Sequence, residues 1–308
     1  TVSKTEIARH DSGRQIFSSR FATVVVWLFA AVWTTPLIGL LITSIRPKED
    51  IQSSGWWTFF SHLHFTLTNY HAILIGNDAA SVSNGILPYV INSLVITLPA
   101  VIFPIALATM AAYALAWMRF RGSDFIFYTI FALQIVPIQL SLIPLLQFFT
   151  GGAHIGHFTI FPKVGIANTF AAIWIPHTMF GLPLAVYLLY NFISALPRDL
   201  MEAAVVDGAN HFMIFRRIVL PLSIPAIAAF AILQFLWVWN DLLVALSFSS
   251  GTESISPLNA KIGNMVGAWG AHWEYLTAGA FVVIVVPLIV FFSLQRYFVR
   301  GILAGSVK

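Results

Sequence analysis

Cysteine is absent from the 308 residues, which excludes disulfides, metal–thiolate sites and thiol nucleophiles. Charge is scarce: 9% of residues are Asp, Glu, Lys or Arg, against about 25% in an average soluble domain. No Gly-x-x-x-x-Gly-Lys-Ser/Thr run occurs, so there is no phosphate-cradling loop and the chain is expected to carry no ATPase site of its own. The His-Glu-x-x-His and Gly-x-Ser-x-Gly patterns are missing as well, which leaves no catalytic residue and no metal site to name. Neither an internal repeat nor a low-complexity tract breaks the sequence.

What the chain has in abundance is apolar side chain, 58% of all residues. Six long apolar stretches stand out, at about 21–45, 87–117, 124–149, 167–192, 222–249 and 275–298. Each reaches or exceeds the roughly 20 residues that a helix needs to cross hydrocarbon. Because backbone groups in a bilayer must be bonded internally, the expected fold is an all-α, polytopic membrane bundle of six transmembrane helices. The first stretch follows a basic segment, as in a secretory leader, but it is too long for a cleaved apolar core and is read as a retained span. Prolines 36, 99, 104, 137, 144, 176, 183 and 287 fall within the spans. Each removes a backbone donor and invites a kink.

The cations are unevenly divided. On one side of a six-span arrangement lie twelve: Lys4, Arg9, Arg14, Arg20, Arg119, Arg121, Arg198, Arg216, Arg217, Arg296, Arg300 and Lys308. Arg46, Lys48, Lys163 and Lys261 make four on the other. The positive-inside rule then places both termini and the 194–221 segment in the cytoplasm. The net charge of +4 has its source in this topology, and no nucleic-acid partner is expected. The implied organisation is a basic cytoplasmic tail over 1–20 and one transmembrane domain over 21–308. External loops fall at 46–86 and 250–273, the cytoplasmic loop at 194–221 and a terminal cytoplasmic tail at 299–308. In the first external loop, Ile51, Trp56, Trp57, Phe59, Phe60 and Leu63 suggest an amphipathic face at the membrane interface.

The 194–221 segment is polar between two apolar stretches and has an ordered grammar. Pro197 suits the first turn of a helix. Asp199 and Glu202 follow near the positive end of its dipole, and Ala203 and Ala204 add propensity with little bulk. Gly208-Ala209-Asn210 reads as a stop and turn. A second short helix then carries Phe212, Phe215, Arg216 and Arg217 toward the membrane, with Pro221 opening the next span. A surface helix with small residues at its centre and an acid beside them suits a partner's groove.

Glu202-Ala203-Ala204, three residues, Gly208, nine residues and Ile218-Val219-Leu220-Pro221 resembles the EAA loop of ABC-importer permeases at every defining position. Arg119-Phe120-Arg121-Gly122, Trp239-Asn240-Asp241 and the run from Tyr297 to Gly305 are similar to the carbohydrate-uptake branch, and most of all to the six-span subunit of maltose-type importers. The resemblance implies a type I importer permease in a bacterial-type cytoplasmic (inner) membrane, with an ATPase-coupling loop carried by Glu202, Ala203, Ala204, Asp207, Gly208, Ile218, Leu220 and Pro221. It implies a second homologous permease, two ATP-binding subunits that hold ATP and Mg, and an extracytoplasmic substrate-binding protein that delivers a carbohydrate. No cofactor is expected on this chain.

Asp241 is the acid set deepest in an apolar stretch, and an intramembrane ionisable group is a functional candidate by default. With Asn240, Asn92 and Gln234 it forms the set of possible pathway or substrate contacts; for each, helix–helix pairing is the competing role. The 250–273 loop has the polar, Gly-containing composition of an adaptable contact surface, and Asn259, Asn264 and Trp269 are its candidate binding-protein contacts. A glycoside or oligosaccharide is the expected solute, with a polyol or other small solute as the alternative. An ion-coupled carrier using Asp241 is disfavoured by the lack of internal repeats.

Overall fold

The computed structural model describes residues 20–76, 85–118, 120–249, 252–268 and 272–306. Expectations for the tail before Arg20, for Arg119 and for Trp269 lie outside the described residues. Two compact units divide the chain, Thr1–Ser83 with Trp269–Phe281 and Asn84–Ala268 with Val282–Lys308. Within the first unit lie α1 (Arg20–Ser44), α2 (Lys48–Ser53) and α3 (Thr68–Ile75). The second begins with α4 (Leu87–Trp117), α5 (Ser123–Ile135, its last turn 3₁₀) and α6 (Ile138–Gly151). A two-stranded antiparallel hairpin follows, β1 (Ala153–Ile155) with β2 (Phe158–Phe161). Then come α7 (Phe170–Ser194), α8 (Arg198–Val206), α9 (His211–Leu222), α10 (Ile224–Asn240), α11 (Leu243–Ser249), α12 (Leu258–Ala268) and α13 (Trp273–Ser306), whose residues up to Phe281 belong to the first unit.

Among the described residues four helices are long and apolar enough to cross a membrane: α1, α4, α7 and the Trp273–Gln295 part of α13. Two bent pairs, α5 with α6 and α9 with α10, bring the number to six if each is one span. The bends are large, 103° and 68°. The sequence reads 124–149 as a single span, whereas the helix leaves its course at Val136 (φ −73°, ψ 119°) and restarts after Pro137. The proline ring forces its predecessor out of the helical region, which supplies the physical reason. The stretch read as 222–249 is also interrupted, by the turn at Ser223 and again at Asp241 and Leu242. The last helix runs on to Ser306, through most of the residues expected as a terminal tail.

The core of the second unit is the α4–α7 pair. Ala100, Pro104, Ala108 and Ala112 recur every fourth residue on α4 and are buried. On α7, Ile173, His177, Gly181, Ala185, Leu189 and Ile193 do the same. Two ridges at four-residue spacing pack closely because so many members are small. One apolar cluster joins Ala108, Ala112 and Tyr113 of α4 to Ala185, Leu189 and Ile193 of α7 and to Met201, Ile214 and Val219 of the 194–221 segment. A second joins Ile96 and Ala100 to Phe149, Ile173, Val238, Val244 and Phe248.

In the first unit, most of α1 is exposed until Gly39, Ile42 and Ser44. Gly39 lies under Trp56, whose indole would stand 2.9 Å from an added Cβ. Arg46 is buried but satisfied, donating to Ser54 Oγ (2.6 Å) and the carbonyl of Asp50 (2.8 Å). The apolar residues expected to share one interfacial face divide instead. Trp57, Phe60 and Leu63 are exposed, while Ile51, Trp56 and Phe59 are half-buried, because the chain changes from α-helix to a 3₁₀ turn at Trp56–Phe60. Glu274 is buried at the start of α13, with Lys48 Nζ at 3.7 Å and His272 Nδ1 at 3.1 Å.

Candidate coupling site and translocation cleft

The 194–221 segment folds as α8, a tight turn and α9. Two bonds close α8: Gly208 N–H donates to the carbonyl of Val205 (3.0 Å) and Ala209 N–H to that of Ala204 (2.9 Å). This is a Schellman closure, and its C′ residue, Gly208, has φ +80°. Asn210 then caps α9, its side-chain oxygen accepting from Met213 N–H at 2.9 Å. The turn's demand on Gly208 is conformational and not spatial, since nothing lies within 4 Å of an added Cβ.

Helix α8 is seated by one face only. Met201 is buried and Ala204 packs beside it against the α4–α7 cluster. Glu202, Ala203, Val205 and Asp207 face outward, and Val206 is 86% exposed. The two adjacent alanines thus do different work, Ala204 packing inward and Ala203 lying outside. Leu200 and Phe212 are exposed as well, which gives the loop an apolar surface around the Glu202 carboxylate. Among the described residues no cation stands in ion-pair range of Glu202.

The second leg is tied to the bundle. Tyr113 Oη lies 3.0 Å from His211 Nδ1 and its ring contacts Phe215. Trp117 Nε1 donates to the carbonyl of Ile193 at 3.0 Å. Within α9, Phe215–Val219 form a π-turn, with Leu220 N–H reaching back to Phe215. The wider turn precedes Pro221, which has no N–H to give and whose ring crowds the preceding carbonyls. Pro221 sits inside α9, and the next span opens at Ile224 with Pro225 in its first turn. Ile218 is half-buried, while Leu220 is exposed beside Arg216 and Arg217.

Away from this loop, α5, α6, α7 and α10 line a cleft of about 830 Å³ that includes Gln134, Ser141, Phe180, Gly181, Gln234 and Trp237. Gln234 is 3% exposed, and its Nε2 donates to the carbonyls of Ala100 (3.2 Å) and His177 (3.4 Å). Asn240 is exposed and bonds back to the carbonyl of Leu236. Asp241 ends α10 and caps α11, its Oδ2 accepting from Val244 N–H (3.0 Å) and Ala245 N–H (3.2 Å). The same oxygen stands 3.4 Å from Nε2 of wholly buried His177, an approach not aligned as a hydrogen bond. His177 was not legible as a partner of Asp241; its signal is a lone His on the four-residue ridge of α7.

The remaining candidates lie on the 250–273 segment and the residue that holds it. Asn92 donates to the carbonyls of Ser254 (3.0 Å) and Ser256 (3.1 Å). Asn259 donates to that of Trp239, the end of α10, at 2.7 Å. Asn264 is exposed on α12. A loop expected from its composition is thus largely helical, with Ile255, Leu258, Ala260 and Met265 buried.

Residues 104–304 match the family described as the inner membrane component of binding-protein-dependent transport systems. The chain belongs to that family. The permease is 49% identical to the osmoprotective compounds uptake permease protein GgtD of Synechocystis sp., over 92% of its own length and 91% of the relative's. It is 51% identical to the alpha-glucoside transport system permease protein AglG of Rhizobium meliloti across 79% of its length, which spans 60% of that relative. Among solved structures, a chain of a bacterial ABC transporter involved in the import of the acidic polysaccharide alginate superposes with a TM-score of 0.64, covering 97% of this permease and 99% of that chain. At 19% identity that likeness concerns the fold, a type I ABC-importer permease. Inside the matched region lie both the α8–α9 loop and the cleft.

Proposed function

We propose that this permease is the membrane-spanning half of an ATP-driven importer for a neutral glycoside or oligosaccharide. A separate ATPase would act on α8, and an extracytoplasmic binding protein would present the solute. The observation that carries the coupling part is the outward surface of α8, where Glu202, Ala203, Val205 and Val206 stand exposed on a helix anchored by Met201 and a Schellman turn. Such a bare surface on a helix anchored by one face suits a groove on another protein. ATP and Mg would reside on two copies of that partner, and a second, homologous permease would complete the pathway. The excess of cations on the α8–α9 side supports a cytoplasmic position for this loop and for both termini. Movement of α8 would reach α4 and α7 through Met201, Tyr113 and Trp117, reorienting the bundle.

The alpha-glucoside relative supports a glycoside as the solute. The Synechocystis relative favours a second reading, a small osmoprotective solute. Both are tested by reconstituting the permease with its partner subunits in vesicles and offering radiolabelled solutes with the liganded binding protein. ATP on the ATPase side should drive uptake of a neutral glycoside, and an ion gradient without ATP should give none. Gradient-driven uptake without ATP would overturn the importer reading, and ATP-driven uptake restricted to an osmolyte would replace the glycoside with the second solute class.

A further inference from the structure

We infer that the cleft between α5–α6 and α7–α10 is a solute subsite on this chain, selective for an uncharged, hydroxylated ligand, with the Gln234 side-chain oxygen as its fixed acceptor. The inference rests on the importer reading above and adds a contact that the reading does not require, since a partner permease alone could hold the solute. Three observations converge. First, the carboxamide of Gln234 is oriented without ambiguity. Its Nε2 faces the carbonyls of Ala100 and His177, and the flipped amide would set oxygen against oxygen. Both N–H donors are therefore spent inside the protein. Oε1 has no partner among the described residues, on a side chain that is 97% buried yet forms part of the cleft wall. Oε1 is not among the buried side-chain atoms left without a partner, so it opens to the cleft and is free to accept from a donor that a solute brings.

Second, the approach of Gln234 depends on Gly181. A Cβ at 181 would stand 2.6 Å from Nε2 and 2.7 Å from Oε1. The four-residue ridge of α7 thus carries its one glycine at the position where the amide comes through to the cleft. Third, the lining is uncharged throughout and mixes aromatic surface with a few neutral polar groups. Trp237 and Phe180 supply apolar faces; Gln134 and Ser141 supply the other polar contacts. A charged solute would lose its hydration there with no counter-charge in the wall. A sugar presents hydroxyl donors for Oε1 and C–H faces for the aromatic rings, and the cleft's volume lies within the usual range for small-ligand sites. A betaine-type osmolyte offers no hydroxyl donor and carries two formal charges that the wall does not match.

The test separates solute uptake from ATP turnover in the reconstituted complex, using a neutral disaccharide that the wild-type complex transports. Gln234→Leu removes the acceptor at nearly constant volume and should lower uptake about tenfold, with binding-protein-stimulated ATPase activity within about twofold of wild type. Gly181→Ala should give the same split by displacing the amide without removing it, and it carries the test if Gln234→Leu does not assemble. Unchanged uptake in the assembled variant would overturn the inference. A parallel fall in uptake and ATPase activity would overturn it too, because Gln234 would then be holding α10 to α4 and α7 and nothing more. A wild-type complex that moves no neutral sugar defeats the glycoside reading itself, a result obtained before any variant is made.

Discussion

Glu202→Lys is expected to abolish productive coupling: uptake and binding-protein-stimulated ATPase activity should both fall by at least about thirtyfold, with normal membrane insertion. Glu202 is exposed at the centre of α8, flanked by Ala203 and Val205 and with no cation in ion-pair range among the described residues. Its substitution therefore disturbs no internal contact. What changes is the sign of charge presented to a partner, and mispairing a charge in a desolvated contact costs about 2–5 kcal/mol. Insertion should be unaffected because Met201 and Ala204, which seat the helix, are on the other face. Sedimentation or co-purification of the ATPase with the variant, beside an uptake assay, checks both halves. Full uptake with wild-type ATPase stimulation would remove Glu202 from the coupling surface.

Gly208→Leu should be nearly as damaging, for a different reason. The residue sits at φ +80°, where a side chain costs about 1–2 kcal/mol. If the turn opens, the bonds to the Val205 and Ala204 carbonyls go with it, about 1 kcal/mol more each. The strain alone shifts the closed turn toward opening by roughly five- to thirtyfold, and in the open form α8 is presented at the wrong angle. Because the space around the Cβ is open, size is not the issue. Gly208→Asn should retain most transport, since Asn tolerates the left-handed region. Equal losses in the Leu and Asn variants would show that bulk, not backbone conformation, is what the turn rejects.

Much of this architecture was legible in the residues. The apolar runs located the spans, and Gly208 with Asn210 announced the turn that the structure contains. The proline record shows where reading the sequence stops. Pro36, Pro99, Pro104, Pro144, Pro176, Pro183 and Pro287 all lie inside continuous helices, while Pro137 stands at a 103° break. The local chemistry is the same in each case. What differs is whether neighbouring groups or an aqueous cleft accept the freed backbone, and that is a tertiary property. The cleft beside Pro137, lined by Val136 and Ile138, supplies such a place. Asp241 was visible as an acid in an apolar run, but its roles as cap of α11 and neighbour of His177 depend on a helix break that hydropathy does not reveal. Gln234 was one of several amides in apolar runs; its place in the cleft wall beside Gly181 distinguishes it from the rest.

In the proposed importer, ATP-derived force enters this chain through α8. The most direct measurement labels Val206→Cys with a photoactivatable maleimide in the assembled complex and identifies the covalent adducts by mass spectrometry. The lack of native cysteine confines the probe on this chain to position 206, and Asn264→Cys on α12 serves as the control from the face proposed to be external. The expected result is an adduct between Val206→Cys and the ATPase subunit whose yield changes when ATP is added, with none to the ATPase from Asn264→Cys. An adduct to the ATPase from Asn264→Cys, with Val206→Cys reacting only with lipid or the binding protein, would contradict the account.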